Sequence, residues 1–271
     1  MTDLVLTQAL FENDLLLARS DAFPDPSQEI AADLARKFGP VPADGPTDVL
    51  FVQPFGKDRL AIVRVRGSRF HFLILANELY HLLQDPFAIA ERYPVDWAAH
   101  GILPDLAWPP EPLARRTIKE LDELLKKGDG PYLLGAAQTL VDGGKIVIAF
   151  TANSMYLIRG VWALLPESNR RTIRVATFAT SNNLEFDLLA LAAIPAGGLP
   201  GYLNEDQVLE YPDSRYERDL QIAIEHGDQR ELDRLLARKS TQEMIRLAWK
   251  LIVVALVVST VVKILNVLRI L

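Results

Sequence analysis

The chain has 271 residues, a formal net charge of −6 and no cysteine. Without cysteine, thiol nucleophiles, cysteine-ligated zinc and disulfides are excluded. The acidic balance argues against binding along a nucleic-acid backbone. The first residues are acidic rather than basic, so we expect no secretory signal there.

The first half of the chain predicts a β-meander. Repeated prolines lead us to expect a helix-forming or irregular lead-in over residues 1–45. Three runs rich in β-branched and aromatic residues follow, at residues 48–55, 59–66 and 69–76. The turns between them are short, which is typical of an antiparallel meander. Helical turns broken at Pro86 come next.

The second half alternates between helical and strand patterns. This alternation favours a mixed sheet with helical cover, and hence an α+β fold. The predicted helices span residues 113–128, 131–141 and 154–165, and the predicted strands span 145–151, 173–180 and 185–195. The predicted organisation is an α+β domain over 1–195, a linker and helical stalk over 196–240, and a C-terminal transmembrane anchor over 241–271.

The apolar C-terminal stretch predicts one membrane span. Leu247 to Leu268 is 22 residues long, and at about 1.5 Å per residue a helix of this length crosses the hydrocarbon core. Lys250 and Lys263 lie toward its ends, where long side chains can reach the interface. The interpretation rests on these residues of the span: Leu247, Trp249, Lys250, Leu251, Val262, Lys263 and Leu268. An interfacial helix and a buried core helix are the alternatives.

The basic residues around this span predict its orientation. More arginines and lysines precede the span than follow it, so we expect a single-pass protein of the cell membrane with its bulk in the cytoplasm. Ser259, Lys263 and Asn266 share one helix face, which makes them a candidate interface for a homo-oligomer. The alternative is that Lys263 only reaches toward the interface and Asn266 already lies in it.

No catalytic motif is present. The chain contains no phosphate-binding Walker loop, no G-x-S-x-G, no H-E-x-x-H and no dinucleotide-binding glycine pattern. We therefore predict no catalytic residue, no cofactor and no metal site. His71 is expected to be a core residue, and His81 with Asp85 a surface contact. The acids of residues 120–123 are expected to form a solvent-exposed helix face with basic residues four positions away, in the pairs Arg116–Glu120, Lys119–Glu123 and Glu123–Lys127.

One basic cluster is a candidate anion contact. Arg170, Arg171 and Arg174 follow a predicted helix that stops at Pro166. Arginines in a turn can hold an anion through paired N–H groups. The alternative is an exposed basic turn.

Residues 133–190 resemble part of the N-terminal domain of bacterial GTPase-associated proteins of conflict and signalling systems. The resemblance lies in a strand after a short Asp-Gly turn, a helix closing on Leu-Pro, a following Arg-Arg and a strand with Phe-x-Thr. Here these are Asp142-Gly143, Leu165-Pro166, Arg170-Arg171 and Phe178-Ala179-Thr180. Residues 52–94 are similar to a recurring unit of uncharacterised bacterial proteins. The first resemblance implies a non-enzymatic, partner-binding role.

These observations predict a non-catalytic, membrane-tethered binding or regulatory protein in a bacterial GTPase-associated signalling or defence module. Its expected partners are membrane lipid through the C-terminal helix and another protein, and not nucleic acid. Two alternatives stay open. One is a hydrolase or nucleotide-processing enzyme with a site that no motif reveals, and the other is a membrane-perturbing effector with an oligomerising tail.

Overall fold

The computed structural model describes residues 6–107, 114–212 and 215–237. This part of the chain is an α+β fold around a nine-stranded mixed sheet. The strands are β1 (Thr7–Glu12), β2 (Leu15–Ser20), β3 (Val49–Pro54), β4 (Arg59–Arg66), β5 (Arg69–Ala76), β6 (Gly101–Leu103), β7 (Ile146–Ala149), β8 (Val175–Ala179) and β9 (Leu188–Leu191). Their order across the sheet is β6-β2-β1-β5-β4-β3-β8-β9-β7. The α+β class predicted from the sequence is confirmed.

The helices of the described residues pack on both faces of this sheet. They are α1 (Pro26–Phe38), α2 (Asn77–Leu83), α3 (Pro86–Arg92), α4 (Ile118–Leu125), α5 (Gly130–Val141), α6 (Ser154–Leu164), α7 (Glu167–Arg170), α8 (Glu205–Leu209), α9 (Arg215–Glu225) and α10 (Gln229–Leu236). The predicted break at Pro86 is confirmed, because this proline begins α3.

The predicted meander is confirmed in strands β3 to β5. The three strands pair antiparallel in sequence order, with Val63 opposite both Phe51 and Phe72. Gly67 and Ser68 form the two-residue connection between β4 and β5, and Gly67 has a φ of 58°. Glycine adopts this left-handed conformation without a steric penalty, which suits the tight turn.

The N-terminal segment differs in part from the helix-forming or irregular lead-in that we expected, because it contains a hairpin before helix α1. Residues 7–20 form the hairpin β1–β2, and β1 pairs along its whole length with β5. Asn13 forms the turn with a φ of 55°, a conformation that asparagine tolerates better than most residues. The hairpin is stabilised by burial of its apolar residues against the meander, which local sequence patterns do not reveal.

The second half of the chain adds a parallel section to the sheet. Strands β7 and β8 both pair parallel to β9. Strand β8 also pairs antiparallel with β3, where Ala176 lies opposite Phe51. The neighbouring Thr177 hydroxyl accepts a hydrogen bond from the Leu50 amide at 2.9 Å. The two halves of the chain therefore share one continuous sheet.

The sheet separates two apolar layers. Helix α1 covers one face, where the Phe38 ring stacks on Phe51 with 4.4 Å between ring centroids. Helices α2 to α6 cover the other face together with α8 to α10. Trp162 of α6 is buried at the centre of this second layer.

The segment 196–240, expected to be a linker and stalk, packs against the body through helices α9 and α10. Leu220 of α9 and Leu232 of α10 have no exposed surface. The Tyr216 hydroxyl donates to the Leu164 carbonyl at 2.5 Å. The tyrosine contact joins α9 to the end of α6. Leu236 and Ala237, at the end of α10, line a cavity together with residues of α7.

Candidate functional site

A cavity of about 730 Å³ lies between the α2–α3 junction, the residues before α4, helix α7 and the end of α10. Its volume is in the range of small-molecule sites in proteins. We call it the arginine cavity because four arginines line it beside three carboxylates, which leaves a formal net charge of +1. These charged residues are Arg115, Arg116, Arg170, Arg171, Asp85, Glu167 and Asp233.

Arg170 is the most buried charge of the arginine cavity. Only 5% of its surface is exposed. Its Nε donates to the Trp162 carbonyl at 2.8 Å, and its guanidinium lies 5.9 Å from the centroid of the Trp162 ring. Its own carbonyl accepts from the Tyr80 hydroxyl at 3.3 Å. Among the described residues no carboxylate forms an ion pair with Arg170, and its terminal nitrogens have no acceptor.

Arg116 lies beside Arg170 and caps the end of α6. Its Nη1 donates to the carbonyls of Ala163 and Leu165 at 3.1 and 2.6 Å. The last carbonyls of a helix lack partners within the helix and carry partial negative charge. Arg116 and Arg170 therefore donate hydrogen bonds to the carbonyls at the end of α6, and these bonds hold both guanidiniums in place.

The burial of these two arginines changes their acid–base behaviour. Desolvation, followed by the nearby charge of Arg116, lowers the pKa of Arg170 to about 9. Desolvation also lowers the pKa of Arg116. At neutral pH Arg170 still carries its charge, because pH 7 is below this pKa. The arginine cavity therefore holds two neighbouring positive charges in a partly dehydrated setting, and an anion would relieve their repulsion.

Arg171 completes the positive wall of the cavity. Its Nε is buried and has no hydrogen-bond partner among the residues that the structure describes. Its Nη2 lies 3.9 Å from a Glu167 oxygen, which is too far for a hydrogen bond. At the rim, Arg115 forms an ion pair with Asp233 of α10.

The α2–α3 junction supplies the polar wall opposite. Gln84 adopts a left-handed backbone with a φ of 52°, and its carbonyl accepts from the Trp162 indole at 3.1 Å. Its side-chain Nε2 donates to the His81 carbonyl at 2.6 Å, while its Oε1 is buried and has no partner within the described part of the chain. Asp85 accepts from the amides of Phe87 and Ala88 and so caps α3.

Of the three candidate anion contacts from the sequence, the structure brings two together. Arg170 and Arg171 line the cavity. Arg174 instead lies at the start of β8, where its Nε is 3.4 Å from Asp187 and its Nη1 is 3.7 Å from Glu185. The separation arises because α7 ends at Arg170 and the chain then turns into the strand.

Arg116 and Gln84 are site residues that the sequence analysis missed. Arg116 was expected to pair with Glu120 along a helix, and this prediction is wrong. Helix α4 begins only at Ile118, and the Glu120 carboxylate accepts from the Thr117 amide at 3.0 Å. A Thr-x-x-Glu capping box in the sequence indicates this helix start and could have placed Arg116 before it.

The histidines occupy two different settings. His71 is buried within the sheet, as expected of a core residue, with its Nε2 3.0 Å from the Gln8 Oε1. Burial lowers the pKa of His71 to about 3. His81 and Asp85, expected to form a surface contact, both line the arginine cavity. Within residues 6–107, 114–212 and 215–237, no three His, Asp or Glu side chains are grouped as a metal site would require.

The membrane-span and helix-interface residues predicted between Leu247 and Leu268 lie outside the described residues. In the part of the chain that is described, no helix has the length and apolar character needed to cross a bilayer. Comparison with protein-family models finds no match for the chain, and neither does a search among curated proteins.

Proposed function

We propose that this protein is a membrane-tethered, non-catalytic binding protein that recognises an anionic ligand in the arginine cavity. One observation carries the proposal. The buried guanidinium of Arg170 has no carboxylate partner among the described residues, and its terminal nitrogens have no acceptor there. A buried charge is costly unless it is paired, so such a group is expected where a ligand provides the partner.

The neighbouring groups support an anion rather than a cation. Arg116 and Arg171 add two further positive charges to the wall of the cavity. Asp85, which lies close enough to favour the charged forms of Arg116 and Arg170, has one carboxylate oxygen engaged by two backbone amides. Glu167 also favours the charged form of Arg116. The four arginines of the cavity still exceed its three carboxylates by one charge, which a ligand can balance.

The tether is supported by the sequence. Ala237, the last described residue of the chain, lines the arginine cavity, and the predicted span begins shortly afterwards at Leu247. In this proposal, nine residues of chain separate the cavity from the start of the span. The resemblance to GTPase-associated proteins gives the proposal its setting, in which ligand occupancy would be communicated to a protein partner.

Turnover of a phosphate ester in the same cavity is a second candidate function. The observation that favours it is that His81 and Asp85 line the cavity beside the arginines. A histidine, a carboxylate and guanidiniums are groups that phosphate-ester chemistry uses. We favour binding because Asp85 is already engaged as the cap of α3.

Calorimetric titration tests the binding function. Inorganic phosphate is titrated into the full chain in non-ionic detergent, with sodium chloride at matched ionic strength as the control. We expect saturable binding of one phosphate per chain. Arg171→Gln should weaken it by about tenfold or more, because a hydrogen bond to a charged group contributes about 1.5–3 kcal/mol.

Arg174→Gln is the matched control, because it removes an arginine of the same sequence cluster outside the cavity. We expect it to leave phosphate binding unchanged. Equal binding by wild type and Arg171→Gln would contradict the proposal. Release of phosphate from p-nitrophenyl phosphate that is lost in His81→Ala would favour the second candidate.

A further inference from the structure

Two arginines of the arginine cavity are open to solvent. The side chain of Arg115 is 67% exposed and that of Arg171 is 34% exposed. Arg115 is paired with Asp233. The closest approach of Arg171 to the Glu167 carboxylate is 3.9 Å, which is beyond hydrogen-bond distance. Arg171 therefore offers an accessible side chain to an anion that approaches the cavity from outside the protein.

A large apolar side chain lies beside these charges. Leu82, near the end of α2, lines the arginine cavity, and 75% of its surface is exposed. A single exposed leucine is ordinary on a protein surface. Its position next to arginines is significant, because proteins that lie on a bilayer place apolar side chains below the headgroups and basic side chains among them.

The chain itself limits how far the arginine cavity can be from the proposed membrane anchor. Ala237 lines the cavity, and the predicted span begins at Leu247. Even a fully extended chain between these two residues reaches no more than about 36 Å. A short tether of this kind presents a second binding partner at a high effective concentration. In the tethered protein, membrane lipid is therefore a ligand that the cavity meets continuously.

The distribution of charge along the chain is complementary to an anionic leaflet. The sequence from 238 to 250 contains one acid, Glu243, and four basic residues, Arg238, Lys239, Arg246 and Lys250. Anionic lipids attract basic residues next to a span. The whole chain has a net charge of −6, so the remainder is acidic and is repelled by the same surface. This asymmetry favours an orientation in which the arginine cavity faces the bilayer.

We propose that the arginine cavity binds the phosphate headgroup of an anionic phospholipid in the membrane that anchors the chain, with Leu82 inserted into the bilayer interface beside it. This inference rests on the proposed function and names the ligand class of the same site. Phosphate oxygens accept hydrogen bonds from arginine side chains. A soluble phosphate provides the same contact, but only a lipid in a bilayer also removes the exposed Leu82 from water.

A fluorescent label at position 82 tests the contact with the bilayer. The chain has no cysteine, so Leu82→Cys carries a single environment-sensitive nitrobenzoxadiazole label. The full chain is placed in nanodiscs of phosphatidylcholine alone or mixed with phosphatidylglycerol, whose negative charge lies on the phosphate. We expect the emission to shift to shorter wavelength in the mixed discs relative to phosphatidylcholine alone, because the label leaves water. Leu15→Cys is the matched control without an expected shift, since Leu15 is 67% exposed and does not line the cavity.

Two arginine variants of the labelled protein separate the cavity from the overall charge. Arg171→Gln removes an accessible arginine of the cavity and should abolish the shift at position 82. Arg174→Gln removes the same charge outside the cavity, where the arginine pairs with Asp187, and should retain the shift. The two variants have equal net charge, so a difference between them reports the cavity contact itself.

Three results would overturn the inference. Equal loss of the shift in both arginine variants would assign the attraction to overall charge, and equal shifts at positions 82 and 15 would show that Leu82 has no special contact. The third is a label at position 82 that does not shift in the mixed discs. If inorganic phosphate still binds in the calorimetric titration, the proposed function stands, and the ligand is a soluble anion or an acidic segment of a partner protein. If phosphate does not bind either, both proposals fail.

Discussion

Replacing Arg170 by methionine should separate stability from binding. Methionine fills a similar space with an apolar side chain and needs no counter-charge. The variant should therefore stay folded and lose phosphate binding. This outcome is expected because Arg170 lies in an environment that disfavours its charge.

The size of the effect follows from the pKa of Arg170. Burial, with the nearby charge of Arg116, lowers this pKa from 12.5 to about 9. At pH 7, below both values, the full shift disfavours folding, by about 5 kcal/mol at 1.36 kcal/mol per unit. Methionine removes this cost. It also removes the hydrogen bond to the Trp162 carbonyl, worth about 1.5–3 kcal/mol, and the contact with the Trp162 ring, worth about 1–2 kcal/mol.

The difference predicts that Arg170→Met changes the free energy of unfolding by between zero and about +2 kcal/mol, in agreement with other replacements of buried charges by apolar residues. Urea unfolding of the full chain in non-ionic detergent, followed by tryptophan fluorescence, measures it. Arg174→Met is the contrasting control and should destabilise, because Asp187 then retains only Lys145 at 3.6 Å as an ion-pair partner among the described residues. If Arg170→Met lowers the free energy of unfolding by more than about 2 kcal/mol, Arg170 is a structural residue and the reasoning fails.

Three further predictions concern the core and the tail. Folding lowers the pKa of His71 from 6.5 to about 3, so as the pH falls below 6.5 the histidine is protonated in the unfolded chain before it is protonated in the folded protein. Acidification from pH 7 to pH 5 should therefore lower the free energy of unfolding by about 2 kcal/mol. His71→Gln keeps a donor for Gln8 and should reduce this loss in urea unfolding at the two pH values, whereas an unchanged loss would exclude His71 as its source. Deletion of residues 241–271 should move the protein from the carbonate-resistant membrane fraction to the supernatant, and a truncated chain that aggregates would instead indicate that these residues complete the core. Asn266→Leu combined with Ser259→Leu should lower the dimer yield of the tail in a membrane two-hybrid assay. The expected loss is small, because hydrogen bonds between membrane helices contribute about 0.6–2 kcal/mol. A wild-type tail that does not self-associate would contradict the predicted helix interface.

Local patterns predicted much of the fold. The meander follows from three alternating apolar runs with short turns, and the break between α2 and α3 follows from Pro86, because both are properties of neighbouring residues. The hairpin of residues 7–20 was missed because β1 is stabilised by long-range pairing with β5. The packing of α9 and α10 was missed for the same reason: their charged outer faces dominate the sequence, while Leu220 and Leu232 are buried against distant helices.

The candidate site was only partly predictable. The adjacent Arg170 and Arg171 could be named as a candidate anion contact from their position after a helix stop, and both line the cavity. Arg116 and Gln84 come from separate parts of the chain, and only tertiary packing brings them to the same cavity. Arg174 could not be distinguished from its neighbours, because its ion pair with Asp187 depends on the approach of two strands.

The most direct test of the anion site is the NMR signal of the arginine side chains. Full-length protein labelled with ¹⁵N-arginine is prepared in detergent, and the Nε–H resonances of Arg170 and Arg171 are assigned by their loss in Arg170→Met and Arg171→Gln. If phosphate binds in the arginine cavity, both resonances shift saturably on its addition while that of Arg174 does not. If the Arg170 and Arg171 resonances remain in place up to saturating phosphate, the arginine cavity is not an anion-binding site and the account is wrong.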